Sequence, residues 1–431
     1  MERALRRRGR LRYRFQVRRC DGEPGGVHRN PVAHRSSDHR GVPTVIRVPV
    51  VIVGGGPSGL MVSHLLARTG IDSVVVERRA RAEIYATGRA GILEAGSVRL
   101  LVDSGVSDRV LREGDRHEGI ELRFGGRSHR IDFADLVGQS VWLYPQTEVF
   151  EDLANRRAAD GGAVYYGASD VEVTPGDDGA RVRFLDADGV EQLVHADFVV
   201  GADGSRSESR RLVPESDRDW RRHEYPFAWF GVLTQAPRSA DELIYADSDH
   251  GFALISQRSE TVQRMYFQCD PSERPEDWDD DRIWATLRER VKGNGFELRE
   301  GPIIEKTVLP FRSAVHAPMR YGRLLLAGDS AHTVPPTGAK GLNLALHDAE
   351  LLAEALAAQL AGDDRALDAY PERALERVWK AQHFSYWMTT MLHRAPGASP
   401  FENARRRGEL EAVVSSRHGR AFLAEAYTGW A

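Results

Sequence analysis

The chain has 431 residues, a formal net charge of −4 and only two cysteines, and 41% of its residues are hydrophobic. This length allows two or three domains, and no run of the sequence approaches the roughly 18 apolar residues that a membrane helix needs. The cysteines, Cys20 and Cys269, are few and far apart, which argues against a disulfide framework and predicts a reducing, cytoplasmic location.

Residues 1–47 carry thirteen arginines and four acidic residues, so the rest of the chain is acidic. Basic segments of this kind occur in targeting peptides, in nucleic-acid-binding arms and in disordered extensions. The first nineteen residues contain no Ser or Thr, although targeting peptides are usually Ser-rich, and charge alone is a weak signal for nucleic acid. We interpret residues 1–46 as a basic, disordered extension, and we predict neither nucleic acid nor a membrane as a partner.

From Arg47 the pattern becomes strand, turn, helix and strand. The apolar run VPVVIV leads into the turn GGGPSG, then into an amphipathic helix and a strand that ends at Glu77. In a βαβ unit such a turn binds the pyrophosphate of a dinucleotide, and the acid that ends the second strand accepts hydrogen bonds from a ribose. A glycine-rich turn without a ligand is the alternative. The predicted cofactor contacts are Gly54, Gly56, Ser58, Gly59 and Glu77.

A β-rich sequence follows, with strands predicted near residues 119–133, 164–173, 180–186 and 192–200. Residues 225–310 have the pattern of a further β-rich insertion, and after residue 338 the pattern is helical.

One segment of the insertion, GFALISQRSETVQRMYFQC at residues 251–269, is typical of a hairpin. By the two-residue period of a strand, Leu254, Ser256 and Arg258 share one face, which changes from apolar to cationic along the strand. The returning strand brings Tyr266 to the same region, so Ser256, Arg258 and Tyr266 are predicted to hold a small anion. An internal salt bridge from Arg258 to a carboxylate is the alternative.

Two later segments, FVVGADGSRSESRR and GRLLLAGDSAHTVPPTGAKGLN, resemble the Asp-Gly and Gly-Asp elements of flavin-dependent aromatic hydroxylases. With the first glycine-rich turn, they identify the dinucleotide as FAD. Asp329 ends a strand where it can accept hydrogen bonds from the ribityl chain, although an Asp in this place is often only a helix cap. The helix that begins near Gly341 directs the positive end of its dipole at the anionic end of a reduced flavin.

These elements predict an α/β fold, in which a Rossmann-like FAD-binding domain carries an inserted β-rich substrate domain and a C-terminal helical region. The predicted segments are 47–219 and 311–360 for the FAD-binding domain, 220–310 for the substrate domain and 361–431 for the helical interface region.

Over residues 47–429 the chain resembles one family, the 4-hydroxybenzoate 3-monooxygenases (p-hydroxybenzoate hydroxylases). The matching motifs include RAGILEAG, YPQTEV, ELIYA, GFALISQRS and RVWKAQHFSYWMT, which lie in the substrate region as well as in the flavin elements. The resemblance implies an FAD-dependent monooxygenase that converts 4-hydroxybenzoate to 3,4-dihydroxybenzoate (protocatechuate). It further implies NADH or NADPH as reductant, O2 as co-substrate and a hydroperoxide at flavin C4a.

The resemblance also implies how the two ends of the substrate are held. Arg258, helped by Ser256 and Tyr266, binds the carboxylate, which a planar guanidinium suits because it forms two parallel charge-assisted hydrogen bonds. At the other end, Tyr245 donates to the phenolate oxygen and Tyr427 is the next hydroxyl of a proton relay.

In the same relay, His117 exchanges the proton with solvent, a task for which histidine is suited near neutral pH. Considered without the family, Tyr245 is typical of strand packing and His117 of a surface residue. The resemblance further implies that the Pro336 carbonyl, Asn343 and Trp229 contact the substrate and that Arg264 takes part in the movement of the flavin. The residues implied to bind FAD are Arg89, Gln146, Asp203, Asp329, Gly341, Leu342 and Asn343.

The segment ERRARAEIYATGRAG departs from the family pattern. Members that prefer NADPH carry a Tyr and an additional Arg where this chain has Glu83 and Thr87, and a carboxylate repels the 2′-phosphate that an Arg would bind. NADH is therefore the predicted reductant. Arg206 stands where a His is usual, so Arg206 and Arg210 remain candidates for the nicotinamide nucleotide, and Met265 replaces a Tyr near the carboxylate-binding residues.

Several alternatives remain open. The same chemistry on 4-aminobenzoate or a ring-substituted hydroxybenzoate is one, a flavin-binding protein without turnover is another, and a nucleic-acid-binding protein that uses the basic extension is a third. No metal site is predicted. A homodimer is predicted from four aromatic residues of the long C-terminal helix, Trp379, Phe384, Tyr386 and Trp387. The alternative is that these residues belong to the core of the protein.

Overall fold

The structure is a computed structural model that describes residues 44–87, 91–176, 178–293 and 295–430. The strands in these ranges are β1 (Thr44–Val53), β2 (Ser73–Glu77), β3 (Ile92–Glu94), β4 (Asp115–His117), β5 (Gly119–Phe124), β6 (Arg127–Asp132), β7 (Val141–Leu143), β8 (Ala163–Tyr166), β9 (Ser169–Gly176), β10 (Gly179–Leu185), β11 (Glu191–Gly201), β12 (Asp219–Thr234), β13 (Leu243–Ser248), β14 (Gly251–Ser259), β15 (Val262–Cys269), β16 (Ile303–Ala317), β17 (Arg320–Tyr321), β18 (Leu324–Leu326) and β19 (His332–Thr333).

The α-helices in the same ranges are α1 (Pro57–Arg68), α2 (Arg81–Ala86), α3 (Ala95–Asp103), α4 (Arg109–Glu113), α5 (Phe133–Val137), α6 (Gln146–Ala159), α7 (Asp280–Val291), α8 (Gly341–Leu360), α9 (Asp364–Leu392), α10 (Pro400–Ser415) and α11 (Arg417–Thr428). Within the described part of the chain, no helix is both long enough and apolar enough to cross a membrane.

The first layer is an eight-stranded sheet with the order β17-β18-β11-β1-β2-β8, to which β10 and β9 are added beside β11. The strands β18, β11, β1, β2 and β8 are parallel to one another, whereas β17 and β10 are antiparallel to β18 and β11. Buried strands of this kind need helices on their faces, and the apolar residues of β1 and β2 share one core cluster with those of α1 and α8. The predicted α/β, Rossmann-like fold is confirmed.

The second layer is an eight-stranded sheet with the order β19-β16-β12-β15-β14-β13-β5-β6. Its two faces separate by the two-residue period of the strands. On one face Ile255, Met265 and Phe267 belong to a core cluster with α7. On the other face Leu254 and Tyr266 belong to a cluster with residues of α9, α10 and α11.

This second sheet is not built from the predicted insertion alone. Strands β5 and β6 pair with each other and extend the sheet through β13, although they precede the insertion by about a hundred residues in the chain. A pattern of alternating residues predicts a strand but contains no information on its partner, so the sequence predicted these strands without their sheet.

The glycine-rich turn between β1 and α1 brings backbone very close to backbone. Gly54 has a φ of +111°, and a Cβ atom there would overlap the Ala202 carbonyl oxygen, while a Cβ atom at Gly59 would overlap the Gly54 carbonyl oxygen. A Cβ atom at Gly56 would meet no atom within 4 Å. Two glycines of the motif are therefore required by the fold itself, and the third leaves an open approach to the backbone.

Gly59→Ala is expected to lower the free energy of unfolding of the apoprotein by about 2–3 kcal/mol, because α1 must move away from the turn. Gly56→Ala is the matched control, expected to change that free energy by less than about 0.5 kcal/mol and to weaken only FAD binding. Urea unfolding of the apoproteins and flavin titration measure the two effects. A Gly59→Ala protein as stable as the wild type would contradict the packing argument.

Candidate active site

A cavity of about 1060 Å³ lies where the two sheets meet. It extends from the glycine-rich turn past the N-terminal end of α8 to the β14–β15 hairpin. The elements predicted from separate parts of the sequence therefore face one space. Its lining includes Gly56, Glu77, Asp329, Tyr245, Arg258 and Tyr266.

At the end of the cavity near β2, Glu77 is buried and its carboxylate is held by two backbone donors. The Gly55 N–H donates to Oε2 at 2.8 Å and the Arg79 N–H donates to Oε1 at 2.9 Å. The carboxylate is thereby fixed at the end of a parallel strand, where a ribose of a dinucleotide is expected.

The residues here fit the dinucleotide that the sequence predicts. Gly56 presents open backbone to the cavity, and the N-terminal ends of α1 and α8 supply free N–H groups for anionic oxygens. Ser58 and Asp203 line the cavity, and among the described residues Ser58 Oγ and Asp203 Oδ1 are buried polar atoms without a hydrogen-bond partner. Such atoms are rare in folded proteins unless a ligand or water satisfies them.

Asp203 also has a structural task. Its Oδ2 accepts hydrogen bonds from the backbone N–H groups of Glu208 and Ser209 at 2.9 and 3.0 Å and from the Ser209 hydroxyl at 3.0 Å. One oxygen holds the following turn, and the other is buried without a hydrogen-bond partner among the described residues. The other predicted FAD contacts that line the cavity are Gly54, Gln146, Asp329, Gly341 and Leu342, and Arg89 lies outside the described residues.

The segment at residues 251–269 forms the predicted hairpin, with Ser259 opposite Val262. Arg258 and Tyr266 line the cavity, and so does Arg264 of the returning strand. Burial, followed by the nearby Arg264 charge, lowers the pKa of the Arg258 guanidinium, while Tyr266, Glu148 and Glu305 act in the opposite direction. Two guanidinium groups at one end of a cavity make that end suited to an anion.

Ser256 lines the same end of the cavity, but its hydroxyl donates to the Arg264 carbonyl across the hairpin at 2.7 Å. The hydroxyl oxygen remains able to accept a hydrogen bond. Met265 lies on the opposite face of the sheet, in the cluster with α7, and is not part of the cavity lining. Residues that alternate along a strand point to opposite faces.

Tyr245 and Tyr427 are fully buried and their hydroxyl oxygens lie 2.7 Å apart. Tyr245 lines the cavity, and its hydroxyl also lies 3.4 Å from the carbonyl oxygen of Thr337. Burial raises the pKa of both phenols. At Tyr245 the hydrogen bond from Tyr427 opposes this increase. Both hydroxyls therefore stay protonated near neutral pH and can serve as donors.

His117, the third predicted member of the relay, is 2% exposed rather than at the surface. Its Nε2 lies 3.1 Å from Asp115 Oδ2, and Arg238 binds the same carboxylate. Among the described residues, its Nδ1 has no hydrogen-bond partner. The structure thus joins Tyr245 and Tyr427 directly, whereas the hydrogen bond of His117 goes to Asp115.

Asn343 lies behind the cavity wall rather than in its lining. Its Oδ1 accepts from the Glu94 N–H at 2.9 Å and the Ser97 hydroxyl at 2.7 Å, and its Nδ2 donates to the carbonyls of Ile92 and Ala339, both at 2.9 Å. An amide can make four such bonds, so the side chain has none left for a substrate. In this structure it ties β3 and α3 to α8.

Two more predicted substrate contacts, Pro336 and Trp229, line the cavity. Trp229 is 2% exposed, stacks on Phe252 with ring centroids 5.5 Å apart, and lies 4.7 Å from the ring of Tyr266. Aromatic packing of this density forms a dry wall.

The predicted nicotinamide contacts are dispersed. Arg206 is exposed and lines the cavity, whereas Arg210 is buried and donates to the carbonyls of Ser205 and Ser330 at 2.7 and 3.3 Å. The two arginines are therefore not equivalent: only the first is placed to reach a ligand.

Glu83 and Thr87 lie at the two ends of α2. Glu83 is exposed, and its Oε2 accepts from the Ala80 N–H at 2.9 Å. Thr87 lines the cavity and donates to the Glu83 carbonyl at 2.9 Å.

Sequence reasoning missed Lys340, which caps the N-terminal end of α8 and lines the cavity. It is 1% exposed, and its Nζ donates to Glu94 Oε1 at 2.5 Å and to the Tyr427 carbonyl at 3.0 Å. Burial lowers the pKa of its ammonium, and the Glu94 carboxylate opposes that shift. A lone lysine in a glycine-rich turn suggests solvent exposure, so the sequence offered no signal for a buried cation.

Comparison with known proteins gives a consistent result. Residues 47–385 match the family described as the FAD binding domain. The chain is 42% identical over 387 residues to p-hydroxybenzoate hydroxylase of Acinetobacter baylyi, which covers 89% of this chain and 96% of that protein.

Solved structures share the fold. The aklavinone-11 hydroxylase complex with FAD and aklavinone superposes with a TM-score of 0.67 at 25% identity, covering 82% of this chain and 70% of that one. The p-nitrophenol 4-monooxygenase of Pseudomonas putida gives a TM-score of 0.74 at 20% identity over 90% of this chain and 99% of that one.

Proposed function

The chain belongs to the FAD-dependent aromatic hydroxylases related to p-hydroxybenzoate hydroxylase, and from that premise we propose that it hydroxylates 4-hydroxybenzoate at the ring carbon next to the phenol. The reaction consumes 4-hydroxybenzoate, NADH or NADPH, a proton and O2, and yields 3,4-dihydroxybenzoate, the oxidised nucleotide and water. The observation that carries the proposal is a single cavity lined by Arg258 and Arg264 and also by Tyr245, whose hydroxyl is hydrogen-bonded to that of Tyr427.

FAD belongs at the end of the cavity bounded by Gly56, Glu77 and the N-terminal end of α8, for which the open backbone and the partnerless Ser58 and Asp203 oxygens provide the fit. When bound, FAD accepts two electrons from the nicotinamide nucleotide and activates O2. The chain contributes binding, orientation and proton movement.

At the carboxylate end, Arg258 is the proposed partner of the substrate. Its guanidinium lies in the cavity beside Arg264 and Tyr266, and a bidentate pair with a carboxylate fixes the ring in one orientation. Ser256 lies at the same end; its hydroxyl hydrogen is donated to the Arg264 carbonyl, so its oxygen can only accept a further hydrogen bond.

At the phenol end, the proposed donor is the Tyr245 hydroxyl. A donor aimed at the phenolate oxygen favours the charged, electron-rich form of the ring, and the Tyr427 hydroxyl 2.7 Å away continues the path by which the proton leaves. Since burial keeps both tyrosines protonated, the substrate rather than the enzyme carries the negative charge. His117 is the proposed exit, by way of a water at Nδ1. Pro336 and Trp229 complete the pocket and exclude water.

The proposal is tested with purified, FAD-loaded protein in air. We expect 4-hydroxybenzoate to accelerate NADH oxidation strongly, with 3,4-dihydroxybenzoate identified by chromatography. Arg258→Met should raise the KM for 4-hydroxybenzoate by about 100-fold, because two hydrogen bonds to a charged group are lost. Arg299→Met, an exposed arginine with a side chain 57% accessible, is the matched control and should behave as the wild type.

Acceleration that yields only hydrogen peroxide would contradict 4-hydroxybenzoate as the substrate, and the same assay with 4-aminobenzoate would then be decisive for that alternative. No acceleration by any para-substituted benzoate would favour a flavin-binding protein without turnover.

NADH is the proposed reductant, because an exposed carboxylate, Glu83, stands on α2 beside the cavity. Glu83→Gln removes the charge and keeps an acceptor for the Ala80 N–H, so it should raise the kcat/KM for NADPH relative to NADH by about fivefold. Glu354→Gln, at an exposed position of α8, is the control. A wild-type enzyme with higher kcat/KM for NADPH would refute the preference.

A cytoplasmic homodimer is the proposed state of the enzyme. Its need for a nicotinamide nucleotide and its two cysteines support a reducing compartment, and exposed aromatic rings on α9 and α11 support a partner surface. Trp379, Tyr386 and Phe422 are 41%, 47% and 45% exposed, whereas Phe384 is fully buried and belongs to the core. Sedimentation at micromolar concentration should give the mass of a dimer, and a monomer would disprove this part of the proposal.

A further inference from the structure

The C-terminal end of α9 contacts Trp229 of the cavity lining and Thr337, the sequence neighbour of the lining residue Pro336, through residues that the proposed reaction does not use. Thr389 Oγ1 donates to Thr337 Oγ1 at 3.0 Å, and the carbonyl of Thr337 lies beside the Tyr245 hydroxyl. One helical turn further on, His393 Nε2 lies 2.7 Å from the indole Nε1 of Trp229.

The protonation state of His393 follows from its partners. An indole N–H only donates and a backbone carbonyl only accepts. His393 Nε2 must therefore accept from Trp229, while Nδ1 carries the proton and donates to the Thr389 carbonyl at 2.8 Å. Burial, assisted by the charges of Arg406 and Arg290 and opposed by the Thr389 carbonyl, lowers the pKa of His393 to about 3. The imidazole is neutral and has one tautomer that satisfies both bonds.

The ring of His393 is inserted into an aromatic layer. It lies parallel to Phe227 at 4.8 Å between centroids and 4.3 Å from Phe252, and Phe252 in turn stacks on Trp229. Close packing of the surrounding rings confines the indole of Trp229. The hydrogen bond further selects one orientation of the ring, the one that directs the N–H at Nε2.

We propose that His393 is a positioning residue of the hydroxylation: as a neutral acceptor it fixes the indole of Trp229 as the wall of the substrate pocket. A fixed wall holds the substrate ring in register and excludes water, so that reducing equivalents end in hydroxylated product. When the wall is loose, NADH, a proton and O2 yield NAD⁺ and hydrogen peroxide instead. This inference rests on the proposed function for its activity measurement, but the contact itself is measured independently.

The test compares two variants of His393. His393→Met fills a similar volume without the acceptor, and it should lower the ratio of 3,4-dihydroxybenzoate formed to NADH consumed by about three- to tenfold, the factor that one lost hydrogen bond represents. His393→Gln keeps an oxygen near the position of Nε2 and should restore most of that ratio. Equal losses in both variants, or no loss in His393→Met, would overturn the proposal.

A double-mutant cycle separates the hydrogen bond from shape. In a Trp229→Phe background the donor is absent, so His393→Met should cause no further loss of product yield. Independent, additive losses would show that His393 acts by packing alone and would overturn the proposal.

The contact is also read without turnover, from the indole N–H resonances of protein labelled with ¹⁵N-tryptophan. The resonance of Trp229, assigned by its loss in Trp229→Phe, should move upfield in His393→Met and stay in place in His393→Gln. An unmoved resonance in His393→Met contradicts the contact, whether or not the protein hydroxylates. A moved resonance in a protein that 4-hydroxybenzoate does not stimulate places the failure in the proposed function instead.

Discussion

The site depends on a buried ammonium that joins three distant parts of the chain. Lys340 at the start of α8 donates to Glu94 at the end of β3 and to the carbonyl of Tyr427 in the last helix, while Arg377 of α9 binds the other oxygen of Glu94 at 2.9 Å. A buried charge is tolerated only when it is paired and hydrogen-bonded, and removal of one partner from such a pair costs several kcal/mol. The cluster therefore holds Tyr427, and the helix α11 that carries it, against Tyr245 of the cavity lining.

In the second sheet, the two-residue period of the strands separates the residues that stabilise the fold from the residues that line the cavity. The face with Ile255, Met265 and Phe267 packs on α7, and it stabilises the sheet through burial worth about 1.5–3 kcal/mol for each large apolar side chain. The opposite face supplies Leu254, Arg258 and Tyr266 to the cavity. A hairpin can carry two arginines into a site only because its other face is bound firmly to a helix.

The polar groups of the site differ in how many of their hydrogen bonds go to the surrounding framework. The Asn343 amide makes four hydrogen bonds, all of them to the framework. One oxygen of Asp203 binds the framework, and the other has no partner among the described residues. The Tyr245 hydroxyl binds the Tyr427 hydroxyl, and Tyr245 lines the cavity. Preorganised donors of this kind keep their strength because the surroundings exclude water. The aromatic layer of Trp229, Phe252 and His393 provides that exclusion.

Features that depend on neighbouring residues in the chain could be predicted from the sequence. The βαβ unit, the turn at Gly54, the acid at the end of β2 and the β14–β15 hairpin follow from local periodicity and from backbone geometry that only glycine tolerates. The motifs around Asp203 and Asp329, through resemblance to a family, led further, to FAD and to the aromatic hydroxylases.

Features that depend on residues far apart in the chain are seen only in the tertiary structure. Tyr245 and Tyr427 are separated by 182 positions, and Trp229 and His393 by 164, so no spacing rule relates them. Burial of His117, the internal bonding of Asn343 and the pairing of β5 with β13 were likewise decided by packing. Local patterns report which face of an element is apolar, whereas the partner of that face is chosen by the whole core.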